Sequence, residues 1–160
     1  MAKVTLRRAR PDDAQKLAEV HMTARLVSIP FLAHLHTDEE TVRWISELVL
    51  PAMEVWVAEA TESIPGYFVT NEIAGYLALE GEMIDQLYIL PQWQRRGVGT
   101  LLLDKARQLR PERLILYCFA MNAPARAFYE ARGFVPIEFT DGERNEEKLP
   151  DVLYRWVARS

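Results

Sequence analysis

The segment Gln94–Thr100 (QRRGVGT) places arginines and glycines between an apolar run that ends at a proline and a second apolar run with helical spacing. At the N-terminus of a helix, about four backbone N–H groups lack a partner, and the helix dipole adds partial positive charge there. Gly97 and Gly99 have no Cβ, so an anion is expected to come close to the backbone, and Arg95 and Arg96 add formal positive charge. The segment therefore predicts an anion site suited to a phosphate or a pyrophosphate.

Two common phosphate-binding motifs do not match this segment. A Walker loop needs a lysine followed by serine or threonine after its second glycine, whereas Thr100 and Leu101 follow here. A dinucleotide-binding fingerprint needs a third glycine and a parallel strand–helix–strand unit at the start of its sheet, and the third glycine is absent. An ordinary surface turn at the start of a helix is the alternative interpretation, but the preceding strand, the arginines and the following helix together favour an anion site.

The overall composition limits the classes of protein to consider. The chain has 160 residues, which predicts a single domain over residues 1–160 with one substantial core. Apolar residues make up 49% and charged residues 26%, which is typical of a soluble globular protein. The formal net charge of −4 provides no basic surface of the kind that attracts nucleic acid, so no nucleic-acid partner is expected.

Neither the cysteine content nor the apolar runs suggest export or membrane insertion. Cys118 is the one cysteine of the chain, so no internal disulfide can form. The N-terminal sequence lacks the apolar core of a signal peptide, and no apolar run reaches the length of a membrane span. We therefore expect a cytoplasmic protein that does not enter a membrane.

Hydrophobic patterning predicts the elements that must position the glycine segment. The predicted order is one strand, two helices, three strands, one helix, one strand, one helix and two strands. The strands are predicted over residues 3–6, 55–60, 72–81, 83–90, 113–120, 135–140 and 151–158. The passage from strand 83–90 through a helix to strand 113–120 implies a parallel pair with a crossover helix, and the other pairs are expected to be antiparallel. The fold class is therefore a mixed α/β domain.

Some local features carry further predictions. Asp12 is expected to cap the first helix, Thr37 and Glu40 form a capping box for the second, and Asn122 caps the last. Residues 113–120 are apolar without alternation, which indicates a strand covered on both faces.

The chain also resembles a known family. The motif Gln94-x-x-Gly97-x-Gly99 is similar to the acetyl-CoA-binding motif of the GNAT superfamily of N-acyltransferases, and the preceding LYILP resembles the family's fourth strand. Residues 122–134 (NAPARAFYEARGF) resemble its second conserved segment. The two motifs span about Leu87–Phe134, and the predicted element order agrees with that fold throughout. The resemblance implies a mostly antiparallel seven-stranded sheet with helices on both faces, and a cleft where strands four and five splay apart.

The resemblance also implies acetyl-CoA as co-substrate and assigns roles to individual residues. The pyrophosphate is expected on the loop formed by Gln94, Arg95, Arg96, Gly97, Val98, Gly99 and Thr100. The pantetheine arm is expected along the strand backbone at Leu87, Tyr88 and Ile89 and against Asn122. The Leu87 N–H is expected to stabilise the oxyanion, and Tyr129 to protonate the departing thiolate. No metal ion is expected in this site.

The general base is less clear, because the acceptor amine must lose a proton before it attacks. Family members often carry a glutamate on the fourth or fifth strand, but Met83 and Tyr117 stand at those positions. Glu80, Glu82 and Asp85 are the acids nearby, and we consider Asp85 and Glu82 as candidate catalytic residues, acting through a water molecule.

The acceptor is expected to enter on the side built by the first two helices, their connecting loop and the last hairpin. His34 and His36 are candidate base or substrate contacts, with ordinary solvated histidines as the alternative. Four acidic residues lie in the last hairpin: Glu143, Glu146, Glu147 and Asp151. They either belong to an ordinary solvated loop or form a negative rim that attracts a cationic amine. The expected function is acetyl transfer to a primary amine of a small molecule or a peptide. A non-catalytic acyl-CoA sensor is the alternative, and a homodimer remains open.

Overall fold

The computed structural model describes residues 2–29, 35–63, 65–66 and 69–159. Within these residues, seven strands form one sheet: β1 (Ala2–Arg8), β2 (Glu54–Ser63), β3 (Val69–Glu80), β4 (Met83–Ile89), β5 (Arg113–Phe119), β6 (Val135–Phe139) and β7 (Asp151–Val157). The helices in the same residues are α1 (Ala14–Ser28), α2 (Asp38–Trp44), α3 (Leu50–Ala52), α4 (Val98–Leu109) and α5 (Ala123–Glu130). A π-helical turn, Ile45–Val49, joins α2 to α3. The predicted order of elements is confirmed, while His34 lies outside the described residues.

The sheet has the strand order β1-β2-β3-β4-β5-β7-β6, and every neighbouring pair is antiparallel except β4 and β5. The parallel pair is registered only at Met83 and Ile115, where the Ile115 N–H donates to the Glu82 carbonyl at 3.0 Å. Beyond this point the two strands separate. The mixed, mostly antiparallel sheet with a splayed β4–β5 pair is therefore confirmed.

A β-bulge interrupts β4 next to the point where it separates from β5. Ala78 of β3 lies opposite Gln86, and the next residue, Leu79, lies opposite Ile84, so Asp85 has no partner across the pair. An extra residue of this kind shifts the alternation of side chains between the two faces of a strand. Asp85 and Gln86, neighbours in sequence, can therefore project to the same side of the sheet.

Helices cover both faces of the sheet, as expected. One layer packs α1 and α2 against the sheet through buried residues that include Leu17, Val20, Ile45, Val49, Val57 and Tyr76. The other layer packs α4 and the inner side of α5 against the opposite face through residues that include Leu77, Leu102, Leu103, Leu114, Leu116 and Phe134. Burial of these apolar side chains is the main stabilising contribution to both layers. No helix within the described residues has both the length and the apolarity needed to cross a membrane.

The prediction that β5 is covered on both faces is wrong. Leu114, Leu116 and Cys118 are buried, but Tyr117, between two of them, is 50% exposed. The reason is that α1 packs mainly over β3 and β4, which leaves the second face of β5 open towards the cleft. The apolar sequence of β5 thus includes residues of a cleft wall.

The predicted cap of the first helix is also wrong, whereas that of the second is confirmed. Asp13, and not Asp12, accepts a hydrogen bond from the Arg10 N–H at 2.7 Å, because a 3₁₀ turn precedes α1. At the start of α2, Thr37 Oγ1 accepts from the Glu40 N–H at 3.1 Å, and Glu40 returns the bond to the Thr37 N–H at 3.0 Å. The capping box therefore fixes the start of α2.

Candidate active site in the cleft between β4 and β5

The separation of β4 and β5 opens a cleft with a volume of about 270 Å³. Its walls come from the two strands, the end of α1, α5 and the loop between β6 and β7. The predicted site residues that line it are Asp85, Leu87, Tyr88, Asn122 and Tyr129. The fold thus brings residues from two sequence motifs to one cavity.

The free edge of β4 presents backbone groups to this cleft. The Leu90 N–H donates to the Ala74 carbonyl of β3 at 2.8 Å. Backbone groups alternate in direction along a strand, so those of Leu87 and Ile89 point away from β3 and towards β5. The Ile89 carbonyl accepts from Gln94 Nε2 at 3.3 Å, in agreement with this direction. The edge at Leu87 is therefore open to an extended ligand.

The two glycines of the loop have different structural roles. Gly97 has φ +86° directly before α4, and a Cβ added there would meet open space, so the turn itself demands glycine. At Gly99 an added Cβ would lie 3.2 Å from the Phe128 ring. Gly99 therefore allows α4 and α5 to pack closely, whereas the sequence alone predicts that both glycines allow an anion to approach the backbone.

The first turn of α4 offers unpaired amides, as the sequence predicts. The Leu101 N–H donates to the Gly97 carbonyl at 3.0 Å, which starts the helical bonding. The N–H groups of Val98, Gly99 and Thr100 precede that bond, and the described residues provide no acceptor for them. The Val98 side chain is buried in the core, so this residue can contribute to a ligand site only through its backbone.

Three guanidinium groups surround this turn. Arg95 has φ +62° and is exposed, and Arg96 stacks on the Trp93 ring at 4.1 Å. Arg132 donates to Thr100 Oγ1 from Nε at 3.2 Å and from Nη2 at 3.1 Å. Sequence reasoning missed Arg132, whose only signal was its place before the glycine that ends α5.

Tyr129 presents a free hydroxyl to the cleft. Its ring packs edge-on against Phe128 and Phe134, with centroid distances of 5.3 and 5.6 Å. Within the described residues, the hydroxyl has no hydrogen-bond partner. Burial, with a smaller effect of Cys118, raises the pKa of Tyr129 above its ordinary value, so the hydroxyl stays protonated. Asn122 Oδ1 accepts from the Ala125 N–H at 3.3 Å, which confirms the predicted cap.

The structure separates the two candidate acids. Asp85 lines the cleft, and one of its carboxylate oxygens accepts from Gln86 Nε2 at 3.2 Å. Glu82 lies at the β3–β4 turn, where both of its oxygens accept from Arg113 Nε at 3.1 and 2.9 Å. Glu82 is not among the residues that line the cleft, and neither is Glu80. Of these three acids, Asp85 alone lines the cleft.

The opposite wall of the cleft holds an ion pair that the sequence did not reveal. Arg25 Nη2, from α1, donates to Glu147 Oε1, from the β6–β7 loop, at 2.8 Å. Both residues, together with Ile29, also line a second cavity of about 70 Å³ between α1 and that loop. The ion pair therefore lies between the two cavities.

The predicted acidic group divides between these cavities. Glu147 and Asp151 line the cleft, whereas Glu146 lines the second cavity and its Oε1 lies 2.5 Å from His36 Nε2. Glu143 lines neither cavity. The group is thus partly a cavity wall and partly a solvated loop.

Sequence comparison identifies the family. A profile described as "Acetyltransferase (GNAT) domain" matches residues 51–136, which is more than half of the 160-residue chain. The chain belongs to the GNAT acetyltransferase family. The GNAT fold expected from the two motifs is thereby confirmed, together with the class of enzyme, an acyltransferase that takes acetyl-CoA as co-substrate.

Individual GNAT proteins resemble this chain over most of its length. It is 28% identical over 134 residues to the peptidyl-lysine N-acetyltransferase YjaB of Salmonella typhimurium, covering 82% of this chain and 83% of that protein. The solution structure of apo YjaB from Escherichia coli superimposes with a TM-score of 0.72 and 23% identity, over 98% of this chain and 99% of that one. The PaiA N-acetyltransferase of Thermoplasma acidophilum, in complex with coenzyme A, gives a TM-score of 0.72 at 18% identity, over 97% and 99% of the two chains.

The local geometry of this GNAT chain fits acetyl-CoA. The unpaired amides before Leu101 suit a pyrophosphate, and the open edge at Leu87 suits the amide-containing pantetheine arm. The unpartnered Tyr129 hydroxyl lies in the same cleft. Acetyl-CoA supplies an activated acetyl thioester, and the protein must orient it towards the acceptor.

Proposed function

We propose that this GNAT chain transfers an acetyl group from acetyl-CoA to a primary amine, by direct attack of the nitrogen on the thioester carbonyl through a tetrahedral intermediate. The observation that carries the proposal is the cleft. It combines the exposed backbone edge of β4 at Leu87, the free hydroxyl of Tyr129 and the carboxylate of Asp85. These are a hydrogen-bond donor, an acid and a base, the groups that such a reaction needs.

Each group has one role in the proposed reaction. The amides of the segment Arg95–Thr100 hold the pyrophosphate, assisted by the neighbouring arginines. The Leu87 N–H donates to the carbonyl oxygen as negative charge develops there. Tyr129, which is protonated at neutral pH, gives its proton to the departing sulfur. Asp85 receives the proton of the acceptor amine through a water molecule, and Glu82 has no role because Arg113 holds it outside the cleft.

For the acceptor we propose the side-chain amine of a peptide lysine. The relative in Salmonella typhimurium is named a peptidyl-lysine N-acetyltransferase, which supports this class. The second cavity, which adjoins the cleft, supports it too, since its wall combines apolar Met22, Leu26 and Ile29 with two carboxylates. These belong to Glu146, which bonds to His36, and to Glu147, which bonds to Arg25 and also lines the cleft. Such a wall suits an aliphatic chain that ends in a cation.

The test is to mix the purified protein with acetyl-CoA and a panel of amines, and to follow release of free thiol. The panel contains lysine peptides, peptides with a free N-terminus only, polyamines and amino sugars, and mass spectrometry locates the added acetyl group. We expect the fastest thiol release with lysine peptides, acetylated on the side chain. Tight binding of acetyl-CoA without thiol release across the panel would instead support the non-catalytic sensor.

A further inference from the structure

Buried polar side chains form a hydrogen-bonded chain that ends at Asp85. His21 Nδ1 lies 3.2 Å from the Tyr76 hydroxyl, the Tyr76 hydroxyl lies 2.5 Å from Gln86 Oε1, and Gln86 Nε2 lies 3.2 Å from Asp85 Oδ2. His21 is 8% exposed, Tyr76 is 0% exposed and Gln86 is 4% exposed. This series of hydrogen bonds therefore runs through the layer beneath α1. It starts at the second cavity, which His21 lines, and ends at the cleft.

The chemistry of its end fixes the direction of every bond in the chain. A carboxylate can only accept, so the amide nitrogen of Gln86 must face Asp85 and its oxygen must face Tyr76. The Tyr76 hydroxyl then donates to Gln86, and its oxygen accepts from the Nδ1–H of His21. Burial, with a smaller effect of Arg25, lowers the pKa of His21 to about 3, in agreement with a neutral ring. All three donors thus point towards the carboxylate in the cleft.

The bulge in β4 is what allows the last bond to form. In a regular strand, adjacent side chains point to opposite faces, so Asp85 and Gln86 could not meet. Because Asp85 is the unpaired residue of the bulge, its carboxylate comes within 3.2 Å of the Gln86 amide. Bulges commonly redirect a side chain next to an active site.

Packing alone does not require this polar chain. The layer around it consists of apolar residues such as Leu17, Val57 and Ala78, and burying polar groups costs free energy unless all are hydrogen-bonded. A phenylalanine and a methionine would fill the space of Tyr76 and Gln86 with no such requirement. A role at the end point of the bonds, Asp85, would account for these buried polar groups.

We propose that Gln86 and Tyr76 are positioning residues, which hold the Asp85 carboxylate in the cleft, towards the acceptor amine. Gln86 contacts the carboxylate and Tyr76 fixes the amide of Gln86, and in the proposed reaction neither side chain exchanges a proton with a substrate. This inference rests on the proposed function, because it takes Asp85 as the group that receives the proton.

The first test is a double-mutant cycle between Tyr76→Phe and Asp85→Asn. Tyr76→Phe removes one hydroxyl from the chain and is expected to lower kcat about tenfold, with the KM for acetyl-CoA unchanged. In the Asp85→Asn background the same change is expected to lower kcat less than about twofold, because Asp85 is no longer there to be positioned. Equal losses in both backgrounds, or an unchanged rate in Asp85→Asn itself, would overturn the proposal.

Two variants serve as checks on this cycle. Gln86→Met keeps the length of the side chain without a buried polar group, so it should reproduce the loss in kcat even if Tyr76→Phe is unstable. Tyr154→Phe is the matched control, because it removes the hydroxyl of an equally buried tyrosine, which bonds to Arg126 and Glu130 in the opposite layer. Its effect and that of Asp85→Asn are expected to multiply.

A measurement without turnover separates this proposal from the proposed function. Three-bond NMR couplings report the χ1 rotamers of Asp85 in the intact protein. We expect one dominant rotamer in the wild type and an average of several in Tyr76→Phe and Gln86→Met, but not in Tyr154→Phe. An unchanged rotamer in the first two variants would overturn the positioning role, whatever the activity. Absence of activity with the rotamer change present would reject only the proposed function.

Discussion

The two walls of the cleft are built in different ways. The cofactor wall, formed by the backbone edge at Leu87, the first turn of α4 and Tyr129, relies mainly on backbone groups fixed by strand and helix geometry. The opposite wall, proposed to receive the acceptor and formed by Arg25 and Glu147, relies on side chains from distant parts of the chain that bond to each other; it is called the acceptor wall. In this arrangement the cofactor wall suits one unchanging ligand, whereas single substitutions can change the acceptor wall.

The largest effect is expected from Tyr129→Phe, which tests the chemistry of the cofactor wall. The change removes the proton that the departing sulfur needs and keeps the ring that packs on Phe134, so kcat should fall by about 10²- to 10⁴-fold. Steady-state kinetics measure kcat, and calorimetry with coenzyme A should give an affinity close to that of the wild type. An unchanged kcat would remove Tyr129 from the mechanism.

A second prediction concerns stability and the polar chain beneath the acceptor wall. The pKa of His21 is lowered from 6.5 to about 3 in the folded protein, so the unfolded state binds more protons between those two values. Stability therefore rises with pH across this window and is lost as the pH falls from about 6.5 towards 3. The contribution of His21 amounts to about 2 kcal/mol of unfolding free energy between pH 7 and pH 5.

Denaturant unfolding at several pH values measures this contribution as the difference between the wild type and His21→Asn. Subtracting the stability of the variant from that of the wild type cancels the effect of other titrating groups. Asp13 is one of them: burial raises the pKa of its carboxyl, but its hydrogen bonds to Arg7 and to the Arg10 N–H outweigh burial, so the pKa is lowered. If the two proteins lose stability in parallel from pH 7 to pH 5, His21 is not a buried neutral ring.

A third prediction distinguishes the two glycines of the cofactor wall. Alanine at Gly97 must adopt φ +86° or displace the turn, at a cost of about 1–2 kcal/mol, so affinity for coenzyme A should fall about tenfold. Alanine at Gly99 keeps the turn but lies 3.2 Å from Phe128, so its main effect should be a lower Tm. Calorimetry and thermal unfolding of both variants compare them, and equal losses of affinity would show that Gly99 also serves the approach of the ligand.

The same contrast explains how far the sequence could predict this molecule. The order of elements and the loop at Gly97 follow from local patterns of apolar residues, prolines and glycines, whereas the splayed strands are predicted only from the resemblance to the family. The contact of Asp85 with Gln86 depends on the bulge, which changes the face of one residue and leaves no local pattern. The Arg25–Glu147 pair joins positions 122 residues apart, and spacing along the chain cannot show such a contact.

The smallest effect is expected from Glu147→Gln, which tests the acceptor wall alone. The change keeps the shape of the side chain, removes the negative charge between the two cavities and leaves Arg25 without its anion. The attraction between the Glu147 carboxylate and the lysine cation, at the edge of a cleft, is expected to contribute on the order of 1 kcal/mol to peptide binding. The KM for a lysine peptide should therefore rise about three- to tenfold. The KM for acetyl-CoA should stay the same, because the ligand contacts proposed for it lie on the cofactor wall.

Glu146→Gln is the matched control for this prediction, since Glu146 is the adjacent acid but is 59% exposed and lies outside the cleft. Its effect on the KM of the peptide should be smaller than that of Glu147→Gln. If both variants raise this KM equally, the acidic loop attracts the cation only through its net charge. In that case, raising the salt concentration should weaken acceptor binding to the wild type as much as either substitution does. If neither variant changes the KM for the peptide, the acceptor does not enter along α1 and the β6–β7 loop. The two walls of the cleft then do not bind one substrate each.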